Sequence, residues 1–101
     1  SESGLVGMDD DSRKLIMCVR IGKDKDFKKM VAADPALIAR STDGQGNTLL
    51  HWAAKNGQKK IAKELLRNHE HCDPYAKNNQ GKTAVDVAMD WNYLELAEYL
   101  K

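Results

Sequence analysis

Residues 46–57 read GNTLLHWAAKNG, and residues 81–92 read GKTAVDVAMDWN. The second stretch lies 35 residues after the first, so that Thr83 repeats Thr48. Self-similarity at a period of about 20 to 50 residues is typical of proteins built from stacked structural repeats. The offset therefore predicts a repeat protein, and the same period should relate the rest of the chain to these two stretches.

A third and more divergent copy precedes these two. Gly22, Gly57 and Asn92 are spaced by 35 residues each, and we expect them to lie at the same turn of successive units. Apolar residues before Gly22 predict one helix. After Gly22, further apolar residues recur at i, i+3 and i+4, which is the spacing of one helical face. These residues are Phe27, Met30 and Val31.

The GNTLLHWAAKNG stretch resembles the ankyrin repeat, with Leu49 where that family usually has proline. The resemblance implies units of a turn followed by two antiparallel helices. We therefore expect an all-α fold, an ankyrin-type stack of helix-turn-helix units with short hairpin-like turns. The single domain would span residues 11–101, with units at about 11–42, 43–78 and 79–101. Residues 1–10 would be an N-terminal tail, and residues 1–7 are either native or a cloning scar before Met8.

Helix positions follow from the repeat. First helices are predicted at 48–56 and 83–91, and second helices at about 59–68 and 93–100. Within these helices, one set of apolar and small residues is expected to face the core. That set is Ala53, Ala54, Ile61, Ala62, Leu65, Leu66, Ala84, Ala88, Leu96, Ala97 and Leu100.

Two departures from the family pattern stand out. The segment 67–73 is two residues longer than usual, and Asp86 stands where the middle unit has His51. The resemblance implies that His51 is structural, with its imidazole bridging Thr48 and the backbone of the adjoining unit. No serine or cysteine nucleophile lies near His51 in a known spacing, so we predict no catalytic residue and no enzymatic activity.

Composition narrows the function classes. The net charge is +1, so no overall imbalance points to nucleic acid or a membrane. No segment approaches the roughly 18 apolar residues that span a bilayer. The two cysteines share no short motif. We expect an intracellular monomer, cytoplasmic or nuclear.

Two weaker patterns compete with this interpretation. His69, His71 and Cys72 suit zinc chemically, but they give at most three donors where a structural site needs four. We predict no metal and no cofactor. Lysines form two groups on the second helices or the turns before them, between residues 23–29 and 55–63, and a nucleic-acid or acidic-lipid surface is the alternative they raise. Interleaved acidic residues favour a solvated face.

The two tryptophans indicate where a partner binds. Trp52 and Trp91 are expected on the open face of the first helices, although a core position for both is the competing interpretation. Exposed tryptophan is a favoured interface anchor. The predicted function is a non-enzymatic scaffold or docking module that binds a protein through its concave face, alone or as the docking domain of a larger enzyme. The predicted partner-binding residues are Met17, Arg20, Ile21, Asp43, Gln45, Trp52, Lys55, Asn56, Asn79, Val87, Asp90 and Trp91.

Overall fold

The computed structural model describes residues 8–101, so the question of residues 1–7 lies outside it. Over residues 8–101 the chain forms seven α-helices and no strand, which confirms the all-α prediction. The helices are α1 (Asp10–Ile21), α2 (Asp24–Ala33), α3 (Leu37–Arg40), α4 (Leu49–Lys55), α5 (Lys59–Arg67), α6 (Ala84–Asp90) and α7 (Leu94–Leu100).

Three helix pairs stack side by side. The first helices α1, α4 and α6 lie next to one another in that order, and α2 lies beside α5. Within each pair the second helix packs back against the first. The four helices predicted in the second and third pairs agree with the structure to within about one residue at each end.

The turn inside each pair has the same backbone geometry. Gly22, Gly57 and Asn92 have φ angles of 80°, 66° and 64°, which all lie in the left-handed region. Glycine and asparagine tolerate that region best among the common residues. Their predicted equivalence across the three units is confirmed.

The core lies between the two helix layers. The predicted inward residues are buried, including the four alanines of the first helices, whose small size permits close helix approach. Leu66 is an exception, since it is only partly buried at the core margin. The core of the first pair is more bulky and centres on Leu15, Ile16 and Phe27, each fully buried.

His51 links the second and third units. Its ring is 2% exposed, and Nδ1 accepts a hydrogen bond from the Thr48 backbone N–H at 3.1 Å. Because Nδ1 accepts, the ring proton sits on Nε2, which donates to the Lys82 carbonyl oxygen at 2.8 Å. The bridge that the family resemblance implied is present. In the third unit Asp86 accepts locally from the Thr83 N–H at 3.0 Å, and it makes no bond to another unit within residues 8–101.

The outward face of the first unit carries charged side chains at two positions that are apolar in the second unit. In the second unit Leu49 and Ile61 are buried against the preceding helices, and the residues 35 positions earlier are Lys14 and the exposed Asp26. Both of these charged side chains are solvated. They place charge at the end of the stack, where a capping repeat requires polar groups for solubility.

Helix α1 begins at Asp10, because Asp9 caps it by accepting from the Ser12 N–H at 2.8 Å. Two local features differ from the sequence-based expectation. The short helix α3 was not predicted. The longer segment after α5 is not simply a solvated loop, since Cys72 turns inward and is buried in the core.

Candidate functional site

The first-helix face carries a row of alternating cations and indole rings. The Arg20 guanidinium lies 5.5 Å from the centroid of Trp52. The Lys55 ammonium lies 5.4 Å from Trp52 and 5.3 Å from Trp91. Cations within about 6 Å of an aromatic centroid are attracted by the negative ring face. We call Arg20, Trp52, Lys55 and Trp91 the cation–indole row; it crosses all three units.

The two tryptophans of this row differ in accessibility. Trp91 is 55% exposed, whereas Trp52 is partly buried and packs against the core. The indole N–H of Trp52 is fully buried and has no acceptor among residues 8–101. An unpaired buried donor costs roughly 1 to 3 kcal/mol, so Trp52 is held there by packing. The expectation that both tryptophans lie on the open face is therefore wrong in part. Trp91 is exposed on that face, whereas Trp52 is partly buried against the core.

Val87 does not belong to the surface. It was expected beside Met17 and Trp52 in an apolar strip, but its side chain is only 8% exposed and joins the core. Helix α6 packs against α4 on one side and α7 on the other, and a short valine side chain does not extend beyond that contact. The predicted strip is interrupted at this position.

The two turns that precede α4 and α6 share one hydrogen-bond pattern. Asp43 accepts from the backbone N–H groups of Gln45 and Asn47 at 2.9 and 2.8 Å. Asn78 accepts in the same way from Gln80 and Lys82 at 2.9 and 3.1 Å. Asp43 was expected to meet a partner, but it is 8% exposed, because this bonding turns its carboxylate into the loop.

The tips of these turns stack on each other and remain accessible. The Asn79 N–H donates to the Gln45 carbonyl at 3.0 Å, and the Asn78 amide donates to the Asn47 side-chain oxygen at 2.9 Å. Gln45 and Asn79 are exposed, as a binding role would require. The stacking holds the two tips at a fixed spacing.

A groove separates the turn tips from the cation–indole row. Its volume is about 410 Å³, and side-chain carboxamides and one lysine dominate its wall. The residues that line it are Gln45, Asn47, Lys55, Asn78, Asn79, Gln80 and Trp91. Four of them were predicted as partner-binding. The turn tips 43–46 and 78–81 were also expected to take part in recognition, and the second of them contains Asn78 and Gln80. Asn47 was missed.

The remaining predicted residues do not line the groove. The Asn56 amide donates to the Trp52 carbonyl at 2.8 Å and so caps α4. Asp90 forms an ion pair with Lys82. Met17 and Ile21 are exposed but line a separate apolar depression on the first unit.

The second-helix face differs from its sequence-based description in one respect. An aromatic ring is present there, since Tyr99 lies 5.4 Å from the Lys59 ammonium and 5.6 Å from that of Lys63. Glu95 is also close, at 3.5 Å from Lys59. The ridge is therefore mixed in charge and carries one aromatic group.

The segment that suggested a metal separates its donors. His69 is exposed and Cys72 is buried. Burial raises the pKa of the Cys72 thiol to about 11, and the Asp73 carboxylate acts in the same direction. At neutral pH the thiolate that a metal would need is therefore disfavoured. Within residues 8–101, no group of three or more histidine, cysteine or acidic side chains is arranged to hold a metal.

The stacked pairs and their projecting turns define a helical-repeat protein. The family model for ankyrin repeats in three copies matches residues 15–101, and the chain belongs to that family. Ankyrin repeats are generally protein-interaction modules and are typically non-catalytic. Over residues 8–101, no helix is long and apolar enough to cross a membrane.

Three larger proteins contain similar segments. The NAD-capped RNA hydrolase NUDT12 of Homo sapiens is 34% identical over 71 residues, which is 70% of this chain and 15% of the hydrolase. The E3 ubiquitin-protein ligase XBAT33 of Arabidopsis thaliana is 30% identical over 94 residues, 93% of this chain and 18% of the ligase. The Espin-like protein of Homo sapiens is 37% identical over 59 residues, 58% of this chain and 6% of that protein. The chain thus spans less than a fifth of each relative's length.

Proposed function

We propose that this chain is a non-enzymatic docking module that binds a protein partner in the groove between its turn tips and the cation–indole row. One observation carries the proposal. Trp91 presents an indole ring that is 55% exposed at the wall of a groove lined by accessible polar groups. Interface hot spots combine a large aromatic anchor with surrounding polar contacts.

Rigidity of the site supports the same function. The two turn tips are bonded to each other, and Lys55 is held between two indole rings. A surface that is already ordered loses less conformational entropy when a partner binds. Both cysteines are buried and free, which is consistent with a module that acts in the cytoplasm or nucleus. We propose that the module is a monomer. In a longer protein the module would serve as the docking segment.

The test compares two aromatic side chains on opposite helix layers. Trp91→Ala removes the groove anchor and should weaken partner binding by about thirtyfold or more, which corresponds to about 2 kcal/mol. Its melting temperature should change by only a few degrees, because the ring is largely solvated. Tyr99→Ala is the matched control, since Tyr99 also contacts two lysine ammonium groups but lies on α7.

The measurement is affinity capture from source cells, followed by a binding isotherm with the captured partner. Binding that survives Trp91→Ala but fails in Tyr99→Ala would contradict the proposal. That outcome would favour the alternative surface of Lys59, Lys63 and Tyr99, which could contact nucleic acid or acidic lipid. Such binding would also weaken steeply as salt is raised.

A further inference from the structure

Lys55 is a cation without a carboxylate partner. Among residues 8–101 its ammonium contacts the rings of Trp52 and Trp91, and no acidic oxygen lies within ion-pair distance of it. Lys82, just before α6, pairs with Asp90, and among the described residues that line the groove Lys55 is the one charged side chain. The exposed Lys55 therefore gives the groove a net positive charge.

The indole rings hold this charge in place. A lysine side chain loses much rotamer entropy when it is fixed in one position. Contact with two rings restricts Lys55 before any ligand arrives. The nearby Arg20 guanidinium also stacks on Trp52. An anion in the groove would meet a preformed counter-ion.

The opposite wall supplies neutral hydrogen-bonding groups. The side-chain carboxamides of Gln45 and Gln80 make no hydrogen bond with other described residues, and both side chains are exposed. Each carboxamide offers two N–H donors and one carbonyl acceptor. Such groups can pair with a carboxylate and with the peptide backbone on either side of it.

From these features we infer that the groove recognises a carboxylate side chain in an extended acidic segment of the protein partner. The Lys55 ammonium is the counter-ion, the free carboxamides of Gln45 and Gln80 donate hydrogen bonds, and Trp91 covers the apolar part of the ligand side chain. The inference rests on the proposed function, because it assigns a partner chemistry to the same groove. It also predicts which side of an interface carries the negative charge.

The experiment uses peptides as probes. Random peptides displayed on phage are selected on the immobilised chain, and an enriched peptide is synthesised in two forms. One form keeps its sequence, and the other replaces each Asp by Asn and each Glu by Gln. Titration calorimetry then gives the affinity of both forms for the wild type and for Lys55→Gln, Lys55→Arg and Lys60→Gln. Lys60→Gln is the matched control, because it removes the same charge from an exposed site on α5.

The expected result has four parts. Enriched peptides contain acidic residues, and the amide form binds the wild type about tenfold more weakly or worse, as for loss of a charged pair at an interface. Lys55→Gln lowers the affinity of the acidic form by a similar factor but barely affects the amide form, since the two changes remove one interaction. Lys55→Arg retains the preference. Lys60→Gln stays within about twofold of the wild type.

Failure of this inference is distinguishable from failure of the proposed function. Suppose that the peptides bind the wild type and bind Trp91→Ala more weakly, but that neither Lys55→Gln nor the exchange of acids for amides changes their affinity. The groove is then a docking site, but carboxylate recognition is wrong. Equal losses in Lys55→Gln and Lys60→Gln would also overturn it, since they would indicate only long-range attraction. If no peptide is enriched, or Trp91→Ala binds like the wild type, the docking site and the inference both fail.

Discussion

His51→Ala tests whether one hydrogen bond couples the second and third units. The substitution removes the bond from Nε2 to the Lys82 carbonyl and the bond that Nδ1 accepts from Thr48. Each bond contributes about 1 kcal/mol, and a polar group left unpaired in a partly buried site adds to the loss. Removing a ring that is 2% exposed also leaves a cavity. We expect a total loss of about 3 kcal/mol.

The chain contains its own control at the equivalent position. Asp86→Ala removes the same kind of local cap from Thr83 but no bond to another unit. Because Asp86 is exposed, this change should cost only about 0.5 to 1 kcal/mol. His51→Asn provides a second comparison, since its short side chain can accept from Thr48 but cannot reach Lys82. Its cost should fall between those of the two alanine variants.

Urea unfolding followed by circular dichroism measures the free energy of unfolding of all three variants. For an m-value of about 1.5 kcal/mol/M, a loss of 3 kcal/mol lowers the midpoint by about 2 M. Hydrogen exchange should locate the effect, with faster exchange in α6 and α7 than in α1 for His51→Ala. If His51→Ala cost no more than Asp86→Ala, or if His51→Asn had wild-type stability, the inter-unit bond would contribute nothing beyond a local cap.

Three further predictions concern stability. Leu65→Ala, at a fully buried site, should cost about 2 to 5 kcal/mol in denaturant titrations, and an unchanged midpoint would contradict the assigned core. Gly57→Ala should cost about 1 kcal/mol more than Gly81→Ala: both positions have positive φ, but only at Gly57 would the new methyl lie 2.5 Å from the Tyr93 ring. Equal losses would show that the ring moves freely. Cys72 should resist alkylation at neutral pH. The pKa of the Cys72 thiol is near 9 in the unfolded chain and about 11 in the folded protein, so its contribution to stability should decline as pH rises above about 9. A Cys72→Ala variant with the same alkaline decline in stability would refute this.

The sequence alone was sufficient for the repeat and for its local geometry. The 35-residue offset aligned Gly22, Gly57 and Asn92, and all three adopt the left-handed turn. Such turns depend on the residue itself and its immediate neighbours, so a local pattern predicts them. The inward faces of α5 and α7 followed from helical spacing in the same way, and the role of His51 followed from the family resemblance.

The repeat pattern did not predict which residues are buried and which are exposed where two units meet. Repeat equivalence treats Trp52 and Val87 as the same position, yet one is half-buried and the other is in the core. Their burial depends on the size of the side chains that the adjoining helices bring against them. Asp43 shows the same limit, since its burial follows from three bonds that close around its carboxylate only when the turn is formed.

The groove itself arises from packing across units. Lys55 lies in the second unit, Trp91 in the third, and the cation–indole row requires both to be stacked at the observed spacing. Most of these residues could be predicted from the sequence, because the repeat shows which charged and aromatic side chains share one helix face. Distances between units decide which ring contacts which cation and which carboxamides remain free to bind. Residue spacing within a unit does not determine those distances.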